Sequence, residues 1–218
     1  FEYQLSSEGH EVALPLAVEY GFTDRLEFLI EPVAYTAIRP KVGPRATGGG
    51  DLEATLTYLV RRETPGIPAI ALAGEVKFPT TGNKLIGTGK TDFAGYLIGS
   101  KRFGRLDTHA DIGYTIVGQP AGLQLKNIFN FALGWELGLG QASELYGELL
   151  ANTAAAAGSE TSGTPAPGTT TPEAPTGEVV GSLGIGRYVV PSVRFSFGVS
   201  VDNSGAVLLR PGITVRRP

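Results

Sequence analysis

Apolar and polar residues alternate with period two along most of the chain, the mark of strands with two unlike faces. After a short opening run over 1–6, residues 11–22 set Val12, Leu14, Leu16, Val18, Tyr20 and Phe22 against Glu11, Ala13, Pro15, Ala17, Glu19 and Gly21. Residues 26–39 repeat the scheme, with Leu26, Phe28 and Ile30 against Glu27, Glu31 and Arg39. Over 51–62, Leu52, Ala54, Leu56, Tyr58 and Val60 oppose Asp51, Glu53, Thr55, Thr57 and Arg61; over 68–78, Ile70, Leu72, Val76 and Phe78 oppose Glu75 and Lys77. Later runs cover 91–103, 106–117, 122–137, 142–153, 178–189, 192–202 and 206–217, giving twelve predicted strands in all.

The charges decide which face meets what. In the four runs between 11 and 78, ten charged residues share one face, and the other carries only Arg62, at a strand end. On a lipid-facing surface Lys or Arg near mid-bilayer costs roughly 2–4 kcal/mol, so reversing the faces in a membrane costs on the order of ten kcal/mol. The same alternation with the apolar face inward describes a soluble barrel, and three features separate the two. The runs of 11–14 residues exceed the usual soluble strand of about 5–6. Eleven residues tilted near 40° climb roughly 28 Å, enough for an apolar band about 25 Å tall. Tight links (21–25, 63–66, 104–105, 138–141, 190–191) alternate with more open ones (40–50, 79–90, 154–177), although 118–122 and 203–205 on the open side are short. The apolar-face aromatics also fall toward the ends: Tyr20, Phe22, Phe28, Tyr58 and Trp135 toward the tight-link rim, Phe78 and Tyr114 toward the other, as interfacial girdles require. The expected fold is therefore all-β: a transmembrane, antiparallel, up-and-down β-barrel of about twelve strands. It forms a single domain over 1–218, with a mobile extracellular loop at 154–177, whose Ala, Gly, Ser, Thr, Pro and Glu cannot build a core. Pro15 and Pro32 fall inside predicted strands and call for bulges there.

Composition narrows the partners. Gly (31) and Pro (15) make up about a fifth of 218 residues, which suits turns better than helices. A net charge of −3 offers no basic field for nucleic acid. With no Cys there is no disulfide, thiolate metal site or cysteine nucleophile. No stretch approaches the roughly 20 apolar residues of a spanning helix. The chain opens at Phe1 in a strand-like run, as expected of a mature or trimmed chain from which any export signal is already gone.

Chemistry is sparse. Gly87-Thr88-Gly89-Lys90-Thr91 lacks the Gly that a phosphate-binding loop needs five residues before its Gly-Lys pair, since Lys84 stands there. Gly184-Ile185-Gly186 lacks the third glycine and following helix of a dinucleotide fingerprint. Asp107, His109 and Asp111 share one strand face, and a solvated, hydrogen-bonded trio outweighs a metal or proton site there. Neither His10 nor His109 has the neighbours of an outer-membrane phospholipase, so no catalytic residue, metal or cofactor is expected. The functional candidates are the inward charges: Glu19, Glu27, Glu31, Glu53, Arg61, Glu75, Lys77, Asp107, His109, Asp111, Lys126, Glu136, Glu144, Glu148, Arg194 and Arg210, as pore-lining residues. Glu11, Arg39, Asp51, Asp202 and Arg216 are expected on the same face. Rings of charge set ion preference, and acids are in excess. Twelve strands lie between the eight that side chains fill and the sixteen that enclose water, so the same charges could also pair across the lumen and plug it.

Several short motifs add a family resemblance. Gly21-Phe22-Thr23-Asp24-Arg25-Leu26-Glu27, Gly49-Gly50-Asp51-Leu52, Phe78-Pro79-Thr80-Thr81-Gly82, the stretch 92–101, and His109-Ala110-Asp111-Ile112-Gly113-Tyr114 carry it. The chain resembles the outer-membrane barrels labelled as the meta-pathway of phenol degradation, with Asp111 where that family is expected to have Asn. The resemblance implies bacterial outer-membrane location and passage of small solutes, aromatic compounds among them, and supplies no catalytic residue. Outer-membrane barrels also commonly end on an aromatic residue, whereas this sequence ends Val215-Arg216-Arg217-Pro218. The combined expectation is an outer-membrane channel for passive diffusion of small solutes with a weak cation preference, in contact with outer-membrane lipid. The alternative is a sealed structural or adaptor barrel, an envelope anchor or subunit with protein partners or further copies of itself.

Overall fold

The structure, a computed structural model, describes residues 1–122, 124–153 and 177–216. All regular elements among them are strands: β1 (Glu2–Leu5), β2 (Gly9–Pro15), β3 (Val18–Gly21), β4 (Leu26–Pro40), β5 (Ala46–Gly48), β6 (Leu52–Arg61), β7 (Ala69–Phe78), β8 (Asp92–Phe103), β9 (Leu106–Ile116), β10 (Ile128–Gly138), β11 (Ser143–Asn152), β12 (Val179–Val190), β13 (Val193–Asp202) and β14 (Val207–Val215). Every pairing is antiparallel, most of them between consecutive strands, and β1 joins β14 on one side and β2 on the other, closing the sheet. β2 and β3 lie along successive halves of β4, and β5 and β6 do the same on its other side, so the fourteen segments make twelve wall strands. The expected up-and-down barrel of about twelve strands is the observed fold.

The interruptions follow from proline. Pro15 has no amide for the ladder, and the register slips there: Leu14 faces Tyr35 while Pro15 faces Val33, leaving Ala34 unpaired on β4. Pro32 sits where β4 changes partner from β6 to β5. The bulge reverses the side-chain alternation of β4: even residues point outward before it, odd residues after it. At the tight rim Gly104, with φ of 65°, takes the first central position of the two-residue turn between Phe103 and Leu106, a backbone region that L side chains avoid. Another rim turn is latched by Lys101, whose Nζ donates to Thr64 O (2.6 Å) and lies 2.9 Å from Glu63 Oε1. That bond holds the Glu63 carboxyl below the ordinary carboxylate range.

Burial is inverted relative to a soluble domain. Leu56, Leu72, Leu133 and Leu183 are 47, 51, 52 and 61% exposed on the outer face, while Ser200 (2%) and Glu144 (5%) lie inside. Leu14, Leu56 and Leu72 thus meet the surroundings rather than one another. Outer aromatics gather toward the rims. Tyr20 and Phe22 meet edge-on at 5.1 Å with Phe28 beside them near the tight turns, and Tyr114 and Phe129 lie 4.8 Å apart near the opposite rim. The predicted 154–177 loop lies, save Gly177, outside the described residues.

Candidate functional site

The inner face is built by the residues that alternate with those apolar positions. The register carries Glu31, Glu53, Lys77 and Asp92 across β4, β6, β7 and β8 as direct neighbours, and Thr55 beside Glu75. Glu19 (β3) and Glu27 (β4) share this face, opposite Leu29 and Thr57. On the other side of the barrel Asp107, His109 and Asp111 of β9 face Glu136, Gly134 and Ala132 of β10, and Gly134 faces Glu148 of β11. Glu144 (β11), Arg194 (β13) and Arg210 (β14) complete the set. Fourteen of the sixteen candidates therefore stand on the inner wall.

Two do not, and Arg39 joins them. Arg61 follows a register shift after Leu59 that sets it opposite Ile70 of the outer face, at the tight rim. Lys126 precedes β10, which starts at Ile128 rather than near 122, and is an exposed loop residue. Arg39 lies beyond the β4 bulge and faces His10 on the outside. Conversely, Glu2, Asp92, Arg102, Tyr96 and Tyr146 are inner-wall residues that the charge list omitted. For Asp92, Tyr96 and Tyr146 the alternation with outer-face Phe93, Leu97 and Leu149 was the available signal.

The ion pairs run along the wall, not across the lumen. Lys77 pairs with Asp92 on the next strand, and Arg102 grips Asp107 with Nε and one terminal nitrogen at 2.5 and 2.9 Å. Arg210 Nε lies 3.0 Å from Glu2 Oε1 on adjacent β1. Arg194 reaches over β12 to Glu144, a pair whose side chains are only 17 and 7% exposed. Gly186 lies beneath it: a Cβ there would stand 2.6 Å from Glu144 Oε1 and 2.7 Å from Arg194 Nε. The Tyr146 ring likewise lies flat over Gly184 and Gly198, with the Arg194 guanidinium carbon 5.4 Å from its centroid. Glycines thus make the wall thin where large side chains fold down on it.

Other carboxylates stay free of bases. Among the described residues Glu11, Glu27, Glu31, Glu53, Glu75, Asp111, Glu136 and Glu148 form no salt bridge; Glu75 accepts a hydrogen bond from Thr55 Oγ1 at 3.4 Å. His109 Nδ1 is 2.8 Å from Ser100 Oγ, while Asp107 is engaged by Arg102, so these two polar groups of β9 turn to different partners rather than to one another. A cavity of about 480 Å³ opens between the two sides of the wall, bounded in part by Glu136, Glu148, Arg194 and Arg210. The inner face as a whole is acidic, with its few bases held down by neighbours.

Solved structures that share this fold include two porins and an outer membrane channel. The KdgM porin superposes with a TM-score of 0.64 at 9% identity, covering 100% of this chain and 97% of that one. The NanC porin gives 0.68 at 10% identity, covering 99 and 97%. The COG4313 outer membrane channel from Pseudomonas putida F1 gives 0.68 at 12% identity, covering 99 and 93%. At these identities the likeness is one of fold. No protein-family model and no curated protein matches the chain, so the phenol-degradation label drawn from the short motifs is not supported.

Proposed function

We propose that the chain is a channel of the bacterial outer membrane that lets small solutes diffuse and favours cations over anions. The observation that carries this reading is the inside-out wall: apolar and aromatic side chains cover its outside, and unpaired carboxylates line an inside whose ion pairs, among the described residues, hug the wall. An apolar exterior of this extent is stable against acyl chains and unfavourable in water. Ion pairs between adjacent strands, or over one strand as for Arg194 and Glu144, leave the centre open to water, whereas pairs across the lumen would have sealed it. Carboxylates without bases raise the local concentration of cations along the path. The shared fold of solved porins supports the same reading. Purified protein in a planar bilayer tests it. Discrete conductance steps are expected, together with a reversal potential in a KCl gradient that reports K⁺ over Cl⁻. Current no greater than the bare lipid would refute the channel, and a Cl⁻-selective reversal potential would refute its cation preference.

A further inference from the structure

The thirteen residues between β7 and β8, 79–91, do not project freely from the rim. The Asn83 carbonyl accepts from the amides of Ile86 (2.9 Å) and Gly87 (3.1 Å), and its side-chain oxygen accepts from Leu85 N–H (3.0 Å), so the segment has a defined turn. Two bonds tie its start to the wall: Thr81 N–H donates to Asp51 Oδ1 (3.1 Å) and Thr80 Oγ1 to Gly50 O (3.1 Å). The segment then folds back on the same carboxylate. A Cβ on Gly87 would stand 2.7 Å from Asp51 Oδ2. At its far root Asp92 pairs with Lys77 and accepts from Gly118 N–H at 2.7 Å.

The direction of the fold is set by Gly48. Gly48 pairs with Thr36, whose side chain is on the inner face, and a Cβ built on Gly48 would lie 3.4 Å from Ile86 Cδ1. Ile86 therefore lies inside the wall. Its neighbours on that patch, Thr36 and Ala46, are 5 and 3% exposed at the open end of a barrel, where uncovered inner residues would meet water.

We propose that 79–91 is the constriction of the channel, folded into the loop-side mouth with Ile86 against β4 and β5, and that Asp51 is the positioning residue that clasps it there. This rests on the channel reading above. Long ordered connections in compact folds are entropically costly and tend to be kept for function.

The sequence has no Cys, so a single introduced thiol is a unique handle. Ile86→Cys is compared with Val42→Cys, a position 85% exposed beyond the end of β4. An anionic methanethiosulfonate reagent is added from the loop side of the full chain in a planar bilayer. Modification at 86 is expected to remove about a third or more of the single-channel conductance, and modification at 42 almost none, because only a group in the path impedes conduction. Asp51→Ala should raise the unmodified conductance and speed labelling at 86 by about tenfold, the barrel keeping its heat-modifiable gel mobility. Gly87→Val, which leaves Asp51 in place, should do the same, and Asp51→Asn, which keeps an acceptor for the Thr81 amide, should behave nearer to wild type. Full labelling at 86 with unchanged conductance overturns the proposal, as does Asp51→Ala that changes neither readout. A wild type without current refutes the channel reading instead, and labelling then judges the fold alone. Slow reaction at 86 relative to 42, restored by Asp51→Ala, supports the inward fold, and equal rates overturn it.

Discussion

Leu133 offers the sharpest test of which side of the wall meets lipid. It occupies the middle of β10, faces Ala110 and Leu149 on its neighbours, and is 52% exposed on the outer face. The preceding residue, Ala132, points inward between Asp111 and Leu150. Leu133→Arg places a guanidinium near the centre of the apolar band and should destabilise the folded barrel by roughly 2–4 kcal/mol. Ala132→Arg puts the same charge on the wet side beside Asp111, which has no base of its own, and should change stability by less than about 1 kcal/mol. The assay is urea unfolding in phospholipid vesicles, followed by tryptophan fluorescence from Trp135, the single tryptophan. With an m-value of about 3 kcal/mol per M, the outer substitution lowers the midpoint by roughly 1 M and the inner one leaves it in place. A barrel with a dry interior predicts the reverse order. If Leu133→Arg unfolds with wild-type stability while Ala132→Arg collapses, the sidedness argued here is wrong, and the channel goes with it.

Three other outcomes follow from the inner wall. Arg194→Ala strands the buried Glu144 over Gly186 and should cost about 3 kcal/mol, the low end for a buried pair because lumen water reaches it; Arg194→Ala/Glu144→Ala should recover part of that loss in the same unfolding assay. Gly184→Val drives a side chain into the Tyr146 ring and should destabilise by about 1–3 kcal/mol, whereas Gly181→Val, with open space around it, should be nearly silent. Glu53→Gln/Glu75→Gln removes two neighbouring unpaired carboxylates and should lower the K⁺/Cl⁻ permeability ratio by about twofold or more, read from the reversal potential; an unchanged ratio would place the selectivity elsewhere in the lumen.

Much of this architecture is legible in the alternation alone. Period two fixes the faces of β6 to β14 almost throughout, because a strand of ten or more residues with one lipid-facing side tolerates no slip. The errors sit where an unmarked extra residue enters. Nothing about Ala34 or Val60 announces a bulge, yet each re-aims the residues beyond it, sending Arg39 and Arg61 outward. Pro15 and Pro32 marked the first of these places, since neither can donate to the ladder, without saying which way the chain would turn. Charge was also too narrow a filter for the inner wall. Tyr96 and Tyr146 contribute as much to its shape as the acids do, but their seats over Gly113 and Gly184 become visible only once the register pairs them.

The net charge of −3 conceals a strong separation, and that separation explains how one sequence satisfies three solvents at once. The described acids concentrate on the inner wall, from Glu11 and Glu27 round to Glu148, whereas Arg25, Arg61, Arg62, Arg105 and Arg187 lie at the tight-turn rim, and Arg39, Lys41, Arg45, Lys84, Lys90 and Lys126 toward the other end. Each base in a rim can meet water or anionic headgroups, so none is forced into the apolar band. The inner acids without a base meet water in the lumen, and buried Glu144 has Arg194. A soluble barrel with the same composition would gain nothing from this sorting, because its exterior would accept either sign. Placing most bases at the ends, and unpaired acids along the axis, would have a direct consequence for a permeating ion. In the proposed channel a cation would be repelled weakly at the mouth and held along the path, while an anion would be drawn to the rim and rejected within. The rim bases should therefore influence how fast ions arrive, and the lumen acids which ions pass. Neutralising Arg39 and Lys41 together should alter conductance at low salt, where the Debye length is tens of ångströms, and leave the reversal potential unchanged; a shift in selectivity from those two changes would contradict this division of roles.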